Sequence, residues 1–385
     1  MSLAYFDNAA TSFPKPMDFY SETMKMFQEF GVNGSSGHHH LADNMLQHAN
    51  VLRKNLATIF GVTSEKIIFS ASATLAANQI IQGLDFSTIK NVYISPFEHN
   101  ATYRTIWAMQ QKYGFSLNIL PFERFLWDEN KTSFLFANAK PDVVICTHAS
   151  NVFGNVLPVE KIFAEAKKYN AVTILDSAQT AGTIPVIAND LNADFVIWAG
   201  HKGLYGPSGI GGFVINTPYC LRPVIFGGTG IFSEEDEMPE SIPERFEVGS
   251  MNSLNILGLL VATNWFLKNR DAITEKKTKM TQALLEVLSG YSDFCTIISD
   301  ESPNNVGVIS IVPLTMSPAE LDTYLAQNGI CVRSGLHCAP LAHKQMKTAP
   351  EGTAFSELYL VHFSLQINDE ATLIKRPVAL ALHSG

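Results

Sequence analysis

At 385 residues the chain is too long for one small core, and a prior of roughly 150 residues per domain leads us to expect two domains. Apolar residues at 46% against charged ones at 16% exclude a disordered composition, and a net charge of -9 excludes the basic footprint of a general nucleic-acid or anionic-membrane binder. The five cysteines, Cys146, Cys220, Cys295, Cys331 and Cys338, include no CxxC pair, which argues against a secreted disulfide framework and for a cytoplasmic protein.

The opening MSLAYFDNAATSFPKP has neither the basic region nor the apolar run of a signal peptide, and a helix is expected from near Asp18. Short runs rich in Val, Ile and Phe at 67–69, 92–94, 143–146, 172–175, 195–198 and 212–215 read as strands. Helical patterns lie between several of them, at 75–82, 101–113 and 159–169, the last following Pro158. This alternation predicts an α/β fold with an open, mostly parallel sheet. The acidic patch SEEDE at 233–237 reads as a solvated loop. Two helical segments follow, near 255–268 and 275–288, then a strand-like run at 306–312. A second, smaller domain is placed from about residue 263. The most apolar stretch, 254–267, is interrupted by Asn255, Thr263 and Asn264, so no membrane span is expected.

In open α/β sheets ligands bind beyond the carboxyl ends of the strands, so the polar residues following each run carry the functional reading. Lys202, in GHKGLYGPSG after the run at 195–198, is placed to form a Schiff base with an aldehyde cofactor, although a lysine taken at random is usually a solvated one. Asp176, ending VTILD, could serve only as a turn or cap. Paired with Lys202 it supplies what pyridoxal phosphate needs: an amine for the aldehyde and a carboxylate opposite the pyridinium nitrogen. Small hydroxylic residues from Ser70 to Thr74 precede a helix, where backbone N–H groups converge on a phosphate. His99, in FEHNAT, either stacks on a ring, moves protons or is structural. A nicotinamide reading of GPSGIGG fails because its glycines precede a strand. Metal binding by His38, His39, His40, His337, Cys338 and His343 lacks any structural zinc spacing.

Ten ordered motifs then show a resemblance that single residues do not: DNAAT (7–11), GHHHLA (37–42), the 70–74 loop with Asn78, EHN (98–100), SNVFGNVLP (150–158), DSAQ (176–179), GHKGLYGPSGIGG (200–212), GGTG (227–230), PERFEVGSMN (243–252) and VRSGLHCAPLAHK (332–344). The chain resembles the class V aminotransferase-fold enzymes of the cysteine desulfurase and selenocysteine lyase group. The resemblance implies a fold-type I homodimer with a seven-stranded, mostly parallel sheet over 17–262 and a small α+β domain from 1–16 and 263–385. It implies pyridoxal 5'-phosphate on Lys202, Asp176 at the pyridine nitrogen, Gln179 at the phenolic oxygen, His99 on the ring and Asn151 beside ring and substrate. Ala73, Thr74 and His201 would hold the phosphate, completed by Ser250 of a second subunit.

The resemblance also places Cys338 as the sulfur-accepting nucleophile, with His337 and Arg333 near enough in sequence to favour a thiolate. Cysteine would yield alanine and an enzyme persulfide, which a sulfur-acceptor protein would then receive. Where relatives place the arginine that grips the substrate carboxylate, ELYLVHFSLQIND places His362, so Arg333 becomes the compensating candidate; His39 joins it as a substrate-facing residue, with the choice among His38, His39 and His40 open. Ala199 and the Ser72–Ala73 pair also depart from the family pattern. The alternatives are another class V reaction (aminotransfer, another lyase or an epimerase) and a cofactor-binding sulfur carrier with little turnover.

Overall fold

The computed structural model describes residues 4–34, 39–231, 233–299 and 305–348, and the backbone of 360–364. Its centre is a seven-stranded sheet in the order Ile67–Ser70, Gly211–Ile215, Phe195–Ala199, Val172–Asp176, Val143–Thr147, Asn91–Ile94, Ser116–Ile119. Neighbours run parallel throughout except Gly211–Ile215, which is antiparallel to both of its neighbours. Strands covered on both faces need apolar residues at every position, and Val143–Thr147, Phe195–Ala199 and Gly211–Ile215 are buried along their whole length. Alternate residues serve opposite faces. Val144, Cys146, Leu175, Val196 and Trp198 join one core, while Val143, Ile145, Ile174, Phe195 and Ile197 join the other.

The first face is covered by the helices His40–Phe60, Val159–Lys167 and the front of Ser253–Ser289, and the second by Ala73–Gln82 and Asn100–Tyr113. All six runs expected as strands are strands. Among the elements outside that reading are the helices His40–Phe60 and Glu129–Asn138 and the edge strand Ser116–Ile119. The two helical segments expected near 255–268 and 275–288 are one helix of 37 residues, Ser253–Ser289. The intervening NRDAIT contains neither Gly nor Pro, and Ile273 within it is buried, so nothing breaks the helix there.

The rear of this helix packs on a four-stranded antiparallel sheet, in the order Cys295–Ile297, Val308–Pro313, Leu360–Ser364, Arg333–Gly335. Met280, Leu284 and Leu288 share a core there with Ile309, Ile311, Leu321 and Leu325, and the N-terminal Ala4 and Phe6 belong to it. Ala4–Tyr5 pairs in parallel with Ile330–Cys331, which returns the chain start to this region before it crosses to the large sheet. No described helix is long and apolar enough to cross a membrane.

Candidate active site

The parallel strands present their carboxyl ends at one edge, and the loops leaving them bring the candidate residues together. Asp176 closes its strand with a buried carboxyl group, whose Oδ1 accepts from the Ala178 N–H at 2.9 Å. Burial pushes this carboxyl up, while the Ala178 N–H and the Lys202 ammonium pull it down. Lys202 is partly buried; burial lowers its affinity for a proton and Arg333 lowers it further, against the raising influence of Asp176, Cys338 and Asp7. Its turn is packed backbone on backbone, for a Cβ at Gly182 would collide with the Gly203 carbonyl and one at Gly203 with the Ala181 carbonyl.

His99 begins the helix Asn100–Tyr113 as its N-cap, its Nδ1 accepting from the Ala101 N–H at 3.0 Å. Accepting there leaves the hydrogen on Nε2, so the ring is neutral with its N–H turned away from the cap. Burial, with the charges of Lys202, Arg333 and Arg104, pushes its pKa down to about 4. Beside it, Glu98 is fully buried and accepts from Ser95 Oγ (2.6 Å), Thr102 Oγ1 (2.7 Å) and the Thr147 N–H (2.6 Å). Burial outweighs these donors and pushes its pKa up to about 7.

The loop before Ala73–Gln82 is capped by Ser72, whose Oγ accepts from the Leu75 N–H at 3.1 Å. The N–H groups of Ala73 and Thr74 lie in the first turn, where a helix offers no acceptor of its own. His201 Nδ1 is buried and has no hydrogen-bond partner among the described residues, and burial, Lys202 and Lys15 push the ring down to about 4. Gln179 Nε2 donates to the Ala9 carbonyl at 3.1 Å, and the two residues line, with Lys202, a cavity of about 10 Å³.

Above this floor sits the turn that carries Cys338. Its side chain is exposed, whereas His337 is buried and stacks on His343 with ring centroids 6.2 Å apart. The two neighbours therefore part, and His337 supports the turn from beneath. Both have positive φ, 48° and 58°, a strained choice for residues with a Cβ. The turn is tethered at both carbonyls: Asn151 Nδ2 donates to the His337 carbonyl at 2.6 Å, and the Asn100 N–H donates to the Cys338 carbonyl at 2.7 Å. Arg333 is felt at Lys202, His99 and Asp7, and its backbone is paired directly with that of His362.

Two candidates lie apart from this group. His39 is exposed and caps the helix His40–Phe60, its Nδ1 accepting from the Ala42 N–H at 3.2 Å, and His38 lies outside the described residues. Ser250 is exposed on the wall of a 570 Å³ cavity that includes Arg53, Phe69, Ala71 and Leu75 but not Lys202. The segment carrying Ser250 is fixed by Glu247, which takes a two-pronged ion pair from Arg53 and the Phe69 N–H at 2.6 Å. Convergence of strand ends, not cavity size, picks out the candidate site. Sequence reasoning passed over Glu98, Lys15 and the Arg53–Glu247 pair; for Glu98 the signal was the hydroxyls Ser95 and Thr102 flanking a carboxylate directly after a buried strand.

The Aminotransferase class-V family model matches residues 4–376. A probable cysteine desulfurase of Pyrococcus abyssi is 29% identical over 363 residues, covering 89% of this chain and 86% of that one. A cysteine desulfurase of Pectobacterium atrosepticum is 28% identical over 348 residues, covering 88% and 84%. The apo structure of a cysteine desulfurase from Thermococcus onnurineus NA1 superposes with a TM-score of 0.90 at 24% identity, covering 99% of this chain and 94% of that one, which shows a shared fold.

Proposed function

We propose that this chain, which belongs to the aminotransferase class-V family, is a pyridoxal-phosphate-dependent cysteine desulfurase or selenocysteine lyase. The observation that carries the reading is the meeting, at one sheet edge, of a lysine of lowered basicity, a buried carboxylate, a neutral capped histidine and a tethered cysteine turn. The residues present fit the cofactor: His201 Nδ1 is a buried polar atom awaiting a partner, the first turn of Ala73–Gln82 offers N–H groups to a phosphate, and Asp176 suits a pyridinium nitrogen. When bound, pyridoxal phosphate supplies the electron sink that lets bonds at the substrate Cα and Cβ break.

In this reading Lys202 holds the cofactor covalently and, once released, moves the proton at the substrate Cα; its lowered proton affinity leaves it able to act as a base. Asp176 would keep the pyridine nitrogen charged, Gln179 would serve the phenolic oxygen, and His99, its ring held by the cap hydrogen bond, would serve the cofactor ring. Asn151 stands next to ring and substrate while holding the Cys338 turn. Arg333 meets the substrate carboxylate, with His362 across the strand pair and His39 as a further substrate-facing candidate. Cys338 Sγ forms a bond to the substrate sulfur as the carbon–sulfur bond breaks, and the thiol proton is made up on carbon. Alanine and a Cys338 persulfide result, the carbon being reduced as the two sulfurs are oxidised, so no outside oxidant is needed.

The homodimer belongs to the same reading. Ser250 is exposed away from its own chain's Lys202, as a residue completing a second copy's phosphate site would be. So does the division near residue 263, for which the separate core around Met280, Leu284 and Ile309 is the support, and so does delivery of the persulfide sulfur to an acceptor protein in the cytoplasm. The test is purified protein given cysteine, selenocysteine or alanine, with sulfide, selenide, alanine and oxo acid followed. Sulfide or selenide appearing one for one with alanine supports the reading, and oxo acid in their place refutes it.

A further inference from the structure

The carbonyl oxygen of His201, in the peptide that leads directly into Lys202, receives four donors from one short stretch near the chain start. Thr11 Oγ1 donates at 3.2 Å, the Ser12 N–H and Ser12 Oγ each at 3.0 Å, and Lys15 Nζ at 3.2 Å. Lys15 Nζ also donates to Ser12 Oγ at 2.7 Å, so hydroxyl and ammonium form a closed triangle with the carbonyl. A carbonyl oxygen has two lone pairs, and one or two donors would satisfy it.

The choice of a lysine here is costly. Lys15 is partly buried, burial pushes its pKa down to about 8, and among the described residues no carboxylate lies within ion-pair distance of it. A buried ammonium without a counter-charge is unfavourable, and a neutral residue would serve if the need were only packing. What the cation adds is a charge-assisted hydrogen bond to the peptide that leads into Lys202, whose displacement would move the root of that side chain.

We propose that Lys15 is a positioning residue for Lys202, an inference that rests on the reading that Lys202 holds the cofactor. With Thr11 and Ser12 it clamps the His201 carbonyl, so that the backbone of Lys202 stays fixed while only its side chain swings between its bound and free forms. The clamp reaches across 186 residues of sequence and ties the chain start to the sheet edge.

Full-length protein freed of cofactor is titrated with pyridoxal phosphate, both as it is and with Lys202→Ala, each with and without Lys15→Met. With Lys202 present, Lys15→Met is expected to weaken cofactor affinity about tenfold and to slow formation of the borohydride-reducible link, the loss of one charge-assisted hydrogen bond. Lys15→Arg should recover most of it. With Lys202→Ala the same substitution should change affinity by less than about twofold, because nothing remains to be positioned. Equal losses in both backgrounds would mean that Lys15 acts on the phosphate or on the fold, and an undisturbed link in Lys15→Met would also overturn the inference. Should Lys15→Met not fold, Thr11→Val removes another donor from the same carbonyl and must show a smaller effect with the same dependence on Lys202; an effect independent of Lys202 overturns the inference. A parent protein that forms no link at Lys202 refutes the function reading first and this inference with it.

Discussion

The Lys202 floor and the Cys338 turn above it face the same crevice but are built by opposite means. The floor gains its geometry from the sheet: strand ends in fixed register, glycine contacts too close for any side chain, and a carbonyl receiving four donors. The turn follows the short strand Arg333–Gly335 and is not itself part of a strand. Its two non-glycine residues at positive φ have their carbonyls held by a side-chain amide and a helix-start N–H, both contributed by the floor. Under the proposed function, the contrast predicts that cofactor binding and sulfur acceptance are separable by mutation in one direction only. Damage to the turn should leave the floor intact, whereas damage to the floor should loosen the turn, which hangs on Asn151 and Asn100.

The largest effect is expected of Lys202→Ala, which removes the reducible covalent link and all turnover while the fold persists; a retained link, found by mass spectrometry after borohydride treatment, would place the cofactor elsewhere. Cys338→Ser comes next. It should bind cofactor as the parent does and lose sulfide production from cysteine, and undiminished sulfide release would break the assignment of the turn. Arg333→Ala should raise the KM for cysteine about ten- to a hundredfold, as expected for loss of a charge-assisted contact of roughly 1.5 to 3 kcal/mol. Unchanged KM in this variant and in His362→Arg would show that neither position meets the carboxylate. The smallest effect belongs to Asn151→Ala. Losing the tether to His337, a neutral hydrogen bond of about 1 kcal/mol, should slow sulfur transfer about fivefold, measured as persulfide formed in a single turnover.

The floor was the more legible of the two regions. A strand buried on both faces writes itself as an unbroken apolar run, so the residue following it is known to lie at the sheet's edge, and Lys202, Asp176 and His99 were found that way. Edge strand Ser116–Ile119 escaped because SLNI is half-solvated and carries no such run. The helix His40–Phe60 has its apolar residues at helical spacing, Met45, Ala49, Leu52 and Leu56, yet the histidines of GHHHLA drew the reading towards chemistry. Lys15 was illegible in principle: a lysine among prolines reads as surface, and only the folded chain brings it to His201. The turn's tethers were hidden for a similar reason, since they use backbone groups, which every residue has. The side chain of His362, on which the carboxylate question turns, lies outside the described residues.

The helix Ser253–Ser289, about 55 Å long at 1.5 Å per residue, has a consequence for how the protein comes apart. Its front buries Ile256, Leu257, Leu259, Leu260 and Phe266 in the core of the large sheet, and its rear buries Met280, Leu284 and Leu288 in that of the small one. Melting either core strips the apolar face from half of a continuous rod, leaving that half to fray in water and lose the hydrogen bonds it shares with the rest. Two cores joined only by a loose connector would denature in separate steps. Threaded on one helix, they are coupled, so heat should unfold them in a single cooperative transition.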